Sequence, residues 1–311
     1  MQAITDLGII LSATLMFATP LIFAAMGSLF SERSGVVNIA IEGLMVIGAF
    51  TGVAVTLATG NVWVGVLSAG LSGVLFALLH AVATIRFYAD HTVSGIAINF
   101  LAPGTALFMS RFLYEGSATT PMVPSEQKLP RLFGQTFEQG SFLNNVFSNY
   151  ISAYLAFALV GVTWYILYKT PLGLRLRAVG EHPKGVSTLG VNVYRMKYYG
   201  VLMSGFLAGI AGSTITLATV SAFRPTIVSG QGFIALAAVI IGKYKPRGVM
   251  LACLLFGFCN ALVAYIGNPR VGINISEQLL SMLPYIITLS LLLFIGRSAT
   301  PAASGKPFKK E

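Results

Sequence analysis

Long apolar stretches alternate with short polar segments along almost the whole chain. A helix needs about 20 apolar residues to cross the hydrocarbon core of a bilayer, so stretches near this length predict membrane-spanning helices. The pattern predicts nine of them, the seventh short: Leu7–Phe30, Val36–Ala58, Val62–Ile85, Thr92–Phe112, Ile151–Tyr168, Tyr199–Val220, Phe233–Gly242, Val249–Ile266 and Glu277–Ile295. We therefore expect an all-α polytopic membrane protein with a single transmembrane domain over residues 1–311.

Most of the positive charges lie on one side of this pattern. If the polar segment 169–197 faces the cytoplasm, alternation of the spans places fifteen of the twenty Lys and Arg residues on that side. Cytoplasmic loops are enriched in Lys and Arg, so the distribution agrees with this choice. The predicted orientation has the N-terminus outside and the C-terminus in the cytoplasm.

The longest segment on the opposite side covers residues 114–150. It contains Pro121, Pro124 and Pro130 among several Gly, Ser and Asn residues, a composition typical of loops. We predict an extracytoplasmic loop there, which serves either as a docking surface for a binding protein or only as a connector, since long loops are often functional.

The composition excludes several classes of protein. Only 10% of the 311 residues are charged, against about 25% in soluble proteins, and this is too few to cover a water-facing surface. The net charge of +10 follows the short loops instead of forming one basic face, so we expect no nucleic-acid partner. Residues 1–6 contain no Lys or Arg, which predicts a retained first helix and not a cleaved signal peptide.

Motifs for nucleotide binding, catalysis and metal binding are absent from the sequence. It has no G-x-x-x-x-G-K-[ST] loop, so we expect no ATPase site in this chain. His80, His91 and His182 fit no metal-ligand spacing, and we expect neither a metal nor a cofactor. These absences favour a transport subunit over a membrane enzyme.

Two short segments resemble each other and run in opposite directions through the predicted topology. Each enters an apolar helix from a Ser-Gly turn: Ser34–Ile41 (SGVVNIAI) and Ser229–Leu236 (SGQGFIAL). Such a pair is typical of an inverted-topology repeat, and helices broken inside a membrane lie beside protein or a water-filled cavity. We expect both segments to flank a translocation pathway.

Polar residues near these segments are the candidates for lining that pathway. Glu42 is the sharpest anomaly, since an ionisable group inside a span costs about 2.5–3.5 kcal/mol on insertion scales. Asn38 lies four residues before it, which predicts that the two share a helix face. Glu42 either takes part in gating or is structural, capping a broken helix or pairing with Arg33. Asn99 and Gln231 are further candidates, although amides also hold membrane helices together.

The basic segment 169–197 is predicted to form a short cytoplasmic helix pair against which a partner docks. Pro183 begins a short helix that runs to about Leu189, because Pro is well tolerated in the first turn of a helix. Gly190 ends this helix. Val186 lies three residues before Leu189, which predicts one small apolar face that inserts into a groove on a partner.

Several parts of the sequence resemble a known family of transport proteins. The pattern TPLGLRLRAVGEHP at 170–183, followed by the Leu-Gly-Val-Asn turn at 189–192, is similar to the coupling loop of ABC importer permeases for branched-chain amino acids and simple sugars. The stretches 32–43 (ERSGVVNIAIEG) and 232–242 (GFIALAAVIIG) resemble the shorter permease subunit of bacterial nucleoside importers. The resemblance extends from about residue 18 to residue 295.

This resemblance implies the ABC importer permease fold and a set of partners. They are a second, longer homologous permease subunit, a cytoplasmic ABC ATPase, an extracytoplasmic substrate-binding lipoprotein and a nucleoside substrate, with the complex embedded in the lipid of the bacterial inner membrane. It also implies that the helix Pro183–Gly190 couples to the ATPase, with Glu181 and Val191 at its edges. ATP then closes the ATPase, the coupling loop moves, and the two permease halves switch access.

Three other interpretations stay open at this point. An ion-coupled secondary transporter also fits an inverted repeat, although no acidic residue lies between Glu181 and Glu277 to build a proton relay. A permease for a simple sugar or a branched-chain amino acid shares the coupling loop. A channel is the third, but the sequence contains no charged ring or filter.

Overall fold

The computed structural model describes residues 2–134, 141–268, 279, 282–283, 286–287, 289–290 and 300–309. Over these residues the chain is helical apart from turns, loops and one isolated β-bridge between Arg131 and Tyr150. The α-helices of this part of the chain are α1 (Gln2–Arg33), α2 (Ile41–Thr59), α3 (Val62–Ala81), α4 (His91–Leu113), α5 (Phe142–Phe147), α6 (Ile151–Lys169), α7 (Pro171–Glu181), α8 (Pro183–Thr188), α9 (Val193–Thr214), α10 (Gln231–Ile241) and α11 (Pro246–Ile266).

Seven of the helices in the described part of the chain are long and apolar enough to cross a membrane, which confirms seven of the nine predicted spans. They are α1, α2, α3, α4, α6, α9 and α11, with α3 and α9 continuing as π-helical turns at Val82–Arg86 and Ile215–Val220. The seventh predicted span is α10, an apolar helix of 11 residues. The ninth, Glu277–Ile295, lies mostly outside the described residues.

Side chains at the polar junctions determine where several helices begin. The Asp90 carboxylate accepts the N–H groups of Thr92 and Val93, both at 2.9 Å, at the start of α4. The Thr170 hydroxyl accepts the N–H of Gly173 at 3.2 Å at the start of α7. Such caps satisfy N–H groups that have no partner within the helix. The junctions are therefore ordered helix starts.

The helices α1, α2, α3 and α9 form the closely packed centre of the molecule. Gly48 on α2 faces Gly209 on α9, and a Cβ atom on Gly52 would lie 2.8 Å from the side chain of Ser213. Small residues at a helix crossing let the two backbones approach closely in membrane proteins. The segment between α1 and α2, where the helical path is interrupted, lies beside this closely packed centre.

The connections between the helices gather at two opposite ends of the bundle. At one end the segment 300–309 packs below α1 and α7, and the Ala303 N–H donates to the Gly180 carbonyl at 2.9 Å. At the other end the Val123 N–H donates to the Ser221 carbonyl at 2.7 Å. Gly180 and Ala303, both predicted to lie on the cytoplasmic side, are thus neighbours, as are Val123 and Ser221, both predicted to lie outside.

Candidate functional site

The chain leaves the helical path between α1 and α2, over Ser34–Ala40, which we call the first break. The second span was predicted to begin at Val36, but α2 begins only at Ile41. The backbone of the break is satisfied by side chains: the Val37 N–H donates to His91 Nδ1 at 3.1 Å, and its carbonyl lies 3.1 Å from His80 Nε2. Such pairing is needed because unsatisfied backbone groups are costly at membrane depth.

The two histidines thus serve the backbone of the first break. Their ring centroids are 6.4 Å apart, nearly perpendicular to each other, and His80 also contacts the Ser94 hydroxyl at 2.9 Å. Among the residues that the structure describes, no group of three or more His, Cys, Asp or Glu side chains is placed to hold a metal ion. Both histidine rings make hydrogen bonds in this region.

Two asparagines complete the first break. The Asn38 amide donates to the Ser204 hydroxyl of α9 at 2.9 Å and accepts the Ala40 N–H at 3.1 Å. The Asn99 amide on α4 donates to the Ile39 carbonyl at 3.0 Å and accepts the N–H of the third residue of α2 at 2.8 Å. Each amide bridges the break to a neighbouring helix. Asn38 is fully buried, whereas Asn99 is half-buried.

Glu42 lies in the first turn of α2, just after the first break, and binds the start of α10, which we call the second break. Its Oε1 accepts the Gly230 N–H and its Oε2 accepts the Gly232 N–H, both at 2.7 Å. The carboxylate therefore caps the N-terminus of α10, where the helix dipole favours negative charge. Arg33 is directed elsewhere: its guanidinium donates to the Tyr244 carbonyl at 2.8 and 3.1 Å.

The prediction that Asn38 and Glu42 share one helix face is wrong. Since α2 begins at Ile41, Asn38 precedes the helix and is turned toward α9, whereas Glu42 lies in the first turn and is directed to α10. The i, i+4 rule applies only to residues inside a continuous helix. Asn38 therefore connects the first break to α9, whereas Glu42 connects the start of α2 to the start of α10.

The second break presents its first helical residues at the surface of the chain. Gly230, which precedes α10, has a φ of 85°, a conformation that glycine adopts without strain. Gln231 is the first residue of α10 and is half-buried, and Phe233 two residues later is 48% exposed. The sequence indicated Gln231 as a candidate but not the two flanking glycines, whose backbone N–H groups are the partners of Glu42.

The segment 169–197 contains two helices, α7 and α8, and its last residues already belong to α9. As predicted, Pro183 begins a short helix, which ends at Thr188 with Leu189 as its C-cap. Gly190 follows with a φ of 79°, the left-handed conformation that ends helices. The six-residue helix α8 therefore projects from the same end of the bundle as the segment 300–309.

The predicted shared apolar face of α8 is not present. Val186 is only 8% exposed because it packs into a cluster with Val179, Val193, Met196 and Phe308. Leu189, in contrast, is 82% exposed. The helix is so short that Leu189 already lies at its end, where the chain turns away. Val186 therefore anchors α8 to its own protein, whereas the side chain of Leu189 is exposed at the end of the helix.

The segment 300–309 was not recognised in the sequence as part of this region. Glu181 accepts the Ala302 N–H at 3.2 Å and lies 4.0 Å from the Arg33 guanidinium. The ring of Phe308 packs on Tyr194 with 5.6 Å between centroids, beside the buried Val186. The C-terminal segment therefore fixes the position of α8. Its polar, Gly- and Ala-containing sequence shows no periodicity that would have predicted this role.

Comparison with known proteins covers almost the whole chain, including both breaks and α8. Residues 10–294 match the family described as branched-chain amino acid transport system, permease component. The chain is 44% identical to a guanosine ABC transporter permease protein of Bacillus subtilis, over 100% of this chain and 99% of that protein. It is 39% identical to a nucleoside ABC transporter permease protein of Lactococcus lactis, again over 100% and 99%. A putative glucose ABC transporter permease protein of Haloferax volcanii is 32% identical, over 97% and 98%.

Proposed function

Since the chain belongs to the family of permease components of branched-chain amino acid transport systems, we propose that it forms one half of the transmembrane pathway of an ATP-driven nucleoside importer. Its place in a membrane rests on the family match over residues 10–294 and on seven apolar helices of membrane-spanning length in its described part. The nucleoside assignment is carried by one observation, the full-length similarity at 44% and 39% identity to permeases named for guanosine and nucleosides.

The pathway in this proposal runs along the two breaks. At 1.5 Å per residue, the helix α10 is about 16 Å long, which is shorter than the roughly 30 Å hydrocarbon core. If α10 ends at the membrane surface, it therefore begins inside the core. Gln231 and Phe233 lie at that start and are accessible. An amide can bond the polar edge of an uncharged base, and an aromatic ring can stack on its face. Glu42 and Asn99 form the wall behind them.

The same geometry supports the proposal of a second permease subunit. The first turn of α10 is a break with irregular backbone before it, and half of the Phe233 side chain is exposed there. Irregular backbone at membrane depth is tolerated only where protein covers it or where it lines a water-filled cavity. We therefore propose that a homologous subunit faces this surface, and that the nucleoside passes between the two subunits.

Coupling to a separate ABC ATPase is assigned to α8. The sequence has no phosphate-binding loop of the G-x-x-x-x-G-K-[ST] type, so the proposal places ATP hydrolysis on a partner. Leu189 projects into solvent at the end of α8, and Pro183, Val186 and Gly190 fix the helix in position. Inserting an exposed apolar residue into a groove on the partner transmits its movement to the helix bundle. Glu181 holds the base of this element through the segment 300–309.

The proposed orientation puts α8 in the cytoplasm, with the N-terminus outside and the C-terminus inside a bacterial inner membrane. The positive residues concentrate at the α8 end, as the positive-inside rule expects. The segment 114–150 then lies on the extracytoplasmic side, where its described residues pack on the end of the bundle. We propose that it receives the substrate-binding lipoprotein.

Reconstitution tests the proposal. The tagged chain is co-expressed with its neighbouring genes, the complex is purified and placed in liposomes, and uptake of radiolabelled guanosine is measured with and without ATP. We expect a second permease and an ATPase in the complex and ATP-dependent uptake that unlabelled nucleosides compete. Uptake by the chain alone on an ion gradient would contradict the importer, and would establish a secondary transporter instead.

A sugar importer is the second candidate, because a putative glucose permease is 32% identical over nearly the full chain. Glucose and leucine are therefore included as competitors in the same liposomes. Displacement of labelled guanosine by other nucleosides but not by glucose or leucine supports the nucleoside assignment. ATP-dependent uptake of labelled glucose without uptake of guanosine would transfer the assignment to sugars and leave the ATPase coupling unchanged.

A further inference from the structure

A basic groove lies between the end of α6, the end of α10 and the start of α11. Its volume is about 510 Å³, and its walls include Trp164, Tyr168, Lys243, Lys245 and Arg247. We call it the α6–α11 groove. It lies at the C-terminal end of α10, whereas the second break lies at the start of that helix.

The positive charges of the groove have no anionic partner in the described part of the protein. There the ion pair within 4.0 Å is that of Arg33 with Glu181, so none of the groove's Lys and Arg side chains is neutralised by a described carboxylate. Lys243, Lys245 and Arg247 are all exposed. Three unneutralised cations around one cavity favour an anionic ligand.

Aromatic rings lie among these cations. The Arg247 guanidinium lies 5.9 Å from the centre of the Trp164 ring, and the Lys169 ammonium lies 5.7 Å from it. The Arg177 guanidinium lies 4.6 Å from the centre of the Tyr168 ring. Trp and Tyr beside Lys and Arg are typical of the depth at which lipid headgroups meet water.

Apolar side chains continue from the groove along both helices. On α6, Phe157 and Gly161 lie on the same side as Trp164, at i−7 and i−3, and no atom lies within 4 Å of a Cβ placed on Gly161. On α11, Leu251 follows Arg247 by one turn and is 62% exposed. A soluble anion would need only the charged end. A ligand with a charged head and apolar chains matches the whole surface.

We propose that the α6–α11 groove binds an anionic phospholipid. The phosphate lies among Lys243, Lys245 and Arg247, and the acyl chains lie along the exposed apolar side chains of α6 and α11. Basic pockets between transmembrane helices are suited to anionic headgroups, and each Lys or Arg adds to the attraction. This inference requires only that the chain is a membrane permease, and it does not depend on which solute is transported.

Quenching of tryptophan fluorescence tests the proposal directly. The chain has two tryptophans, so the variant Trp63→Phe leaves Trp164 in the groove as the sole reporter. The purified full-length protein is titrated in mixed micelles with phosphatidylglycerol or phosphatidylcholine that carries brominated acyl chains. We expect phosphatidylglycerol to quench Trp164 at a mole fraction about tenfold lower than phosphatidylcholine. Equal quenching by the two lipids would contradict the proposal.

The variant in which Lys243, Lys245 and Arg247 are all replaced by Gln removes the proposed phosphate ligands. We expect it to lose the preference for phosphatidylglycerol, with binding weakened about tenfold or more. The variant Lys243→Arg/Lys245→Arg retains the charges and should retain the preference. If this second variant binds normally and the Gln variant does so too, the assignment of the phosphate ligands is wrong.

A matched control removes three charges from side chains that do not line the groove. Arg86, Arg175 and Arg195 are exposed, and their joint replacement by Gln should leave quenching by phosphatidylglycerol unchanged within about twofold. Equal weakening in this control would show that only overall charge attracts the lipid.

Two further measurements separate the lipid from other occupants of the groove. Inorganic phosphate is added as a competitor, and full displacement of brominated phosphatidylglycerol by it at millimolar concentration would indicate a soluble-anion site and refute a lipid site. The assembled importer is then examined by native mass spectrometry. Retention of phosphatidylglycerol by the wild type and its loss from the Gln variant support the proposal, whereas a wild-type complex that retains no phosphatidylglycerol would contradict it.

Discussion

Replacing Glu42 by Gln is the most informative single change in this protein. Both carboxylate oxygens accept a backbone N–H of the second break at 2.7 Å. A hydrogen bond to a charged group contributes about 1.5–3 kcal/mol. Gln keeps one acceptor oxygen, now uncharged, and turns its NH₂ group toward the other N–H, so one bond weakens and one is lost. We expect the free energy of unfolding to fall by about 2–4 kcal/mol.

The assay is unfolding of the purified full-length chain in mixed micelles, followed by circular dichroism, with guanosine uptake measured in parallel. The control is Glu126→Gln, an exposed acid in the short 3-10 helix Ser125–Gln127, which should change the free energy of unfolding by less than about 0.5 kcal/mol. Uptake abolished in Glu42→Gln with a stability equal to that of the wild type would refute the reasoning. Glu42 would then act on the solute or the gate, and its cap on α10 would be energetically unimportant.

Three further predictions concern coupling, close packing and the C-terminal segment. Leu189→Glu should abolish stimulation of the ATPase by substrate. It should change the free energy of unfolding by less than about 0.5 kcal/mol, because the Leu189 side chain is 82% exposed. Leu174 is also exposed, and Leu174→Glu is the control in the same ATPase assay. Gly232→Ala should destabilise the protein by about 1–3 kcal/mol, since its Cβ would lie 2.5 Å from a backbone nitrogen of α2, whereas Gly104→Ala, with open space around it, should not. Phe308→Ala should remove about 3 kcal/mol of local packing and speed amide exchange in α8, measured by mass spectrometry; unchanged exchange would show that the segment 300–309 does not hold α8 in place.

The spans were predictable because length and apolarity are sufficient to identify them. The predicted and observed limits of the fifth span, Ile151–Tyr168 against Ile151–Lys169, differ by one residue. The second span differs more, since α2 begins five residues after Val36. There the apolar pattern continues through the break, and the chain stays non-helical because His91 and other distant side chains satisfy its backbone. Such long-range partners leave no local mark in the sequence.

The candidate site was only partly predictable, because some of its hydrogen-bond partners are distant in the sequence. Glu42 was conspicuous because a carboxylate within an apolar stretch is rare, and capping of a broken helix was among its predicted roles. Its partners were not predictable, because they are backbone N–H groups 188 and 190 residues away. The orientation of Val186 was missed since the cluster that buries it includes Phe308, which is remote in sequence.

The hydrogen bond between Glu42 and Gly230 also has a consequence for biosynthesis. The two residues are separated by 188 positions, and ribosomes add about 5–20 residues per second, so roughly 10–40 s pass between their translation. During that interval α2 enters the bilayer with a carboxyl group whose N–H partners do not yet exist, at a cost of about 2.5–3.5 kcal/mol. The Ser204 partner of Asn38 also emerges late, 166 positions further on. The first half of the protein is therefore translated before the partners of these two side chains exist, and α9 and α10 provide those partners later.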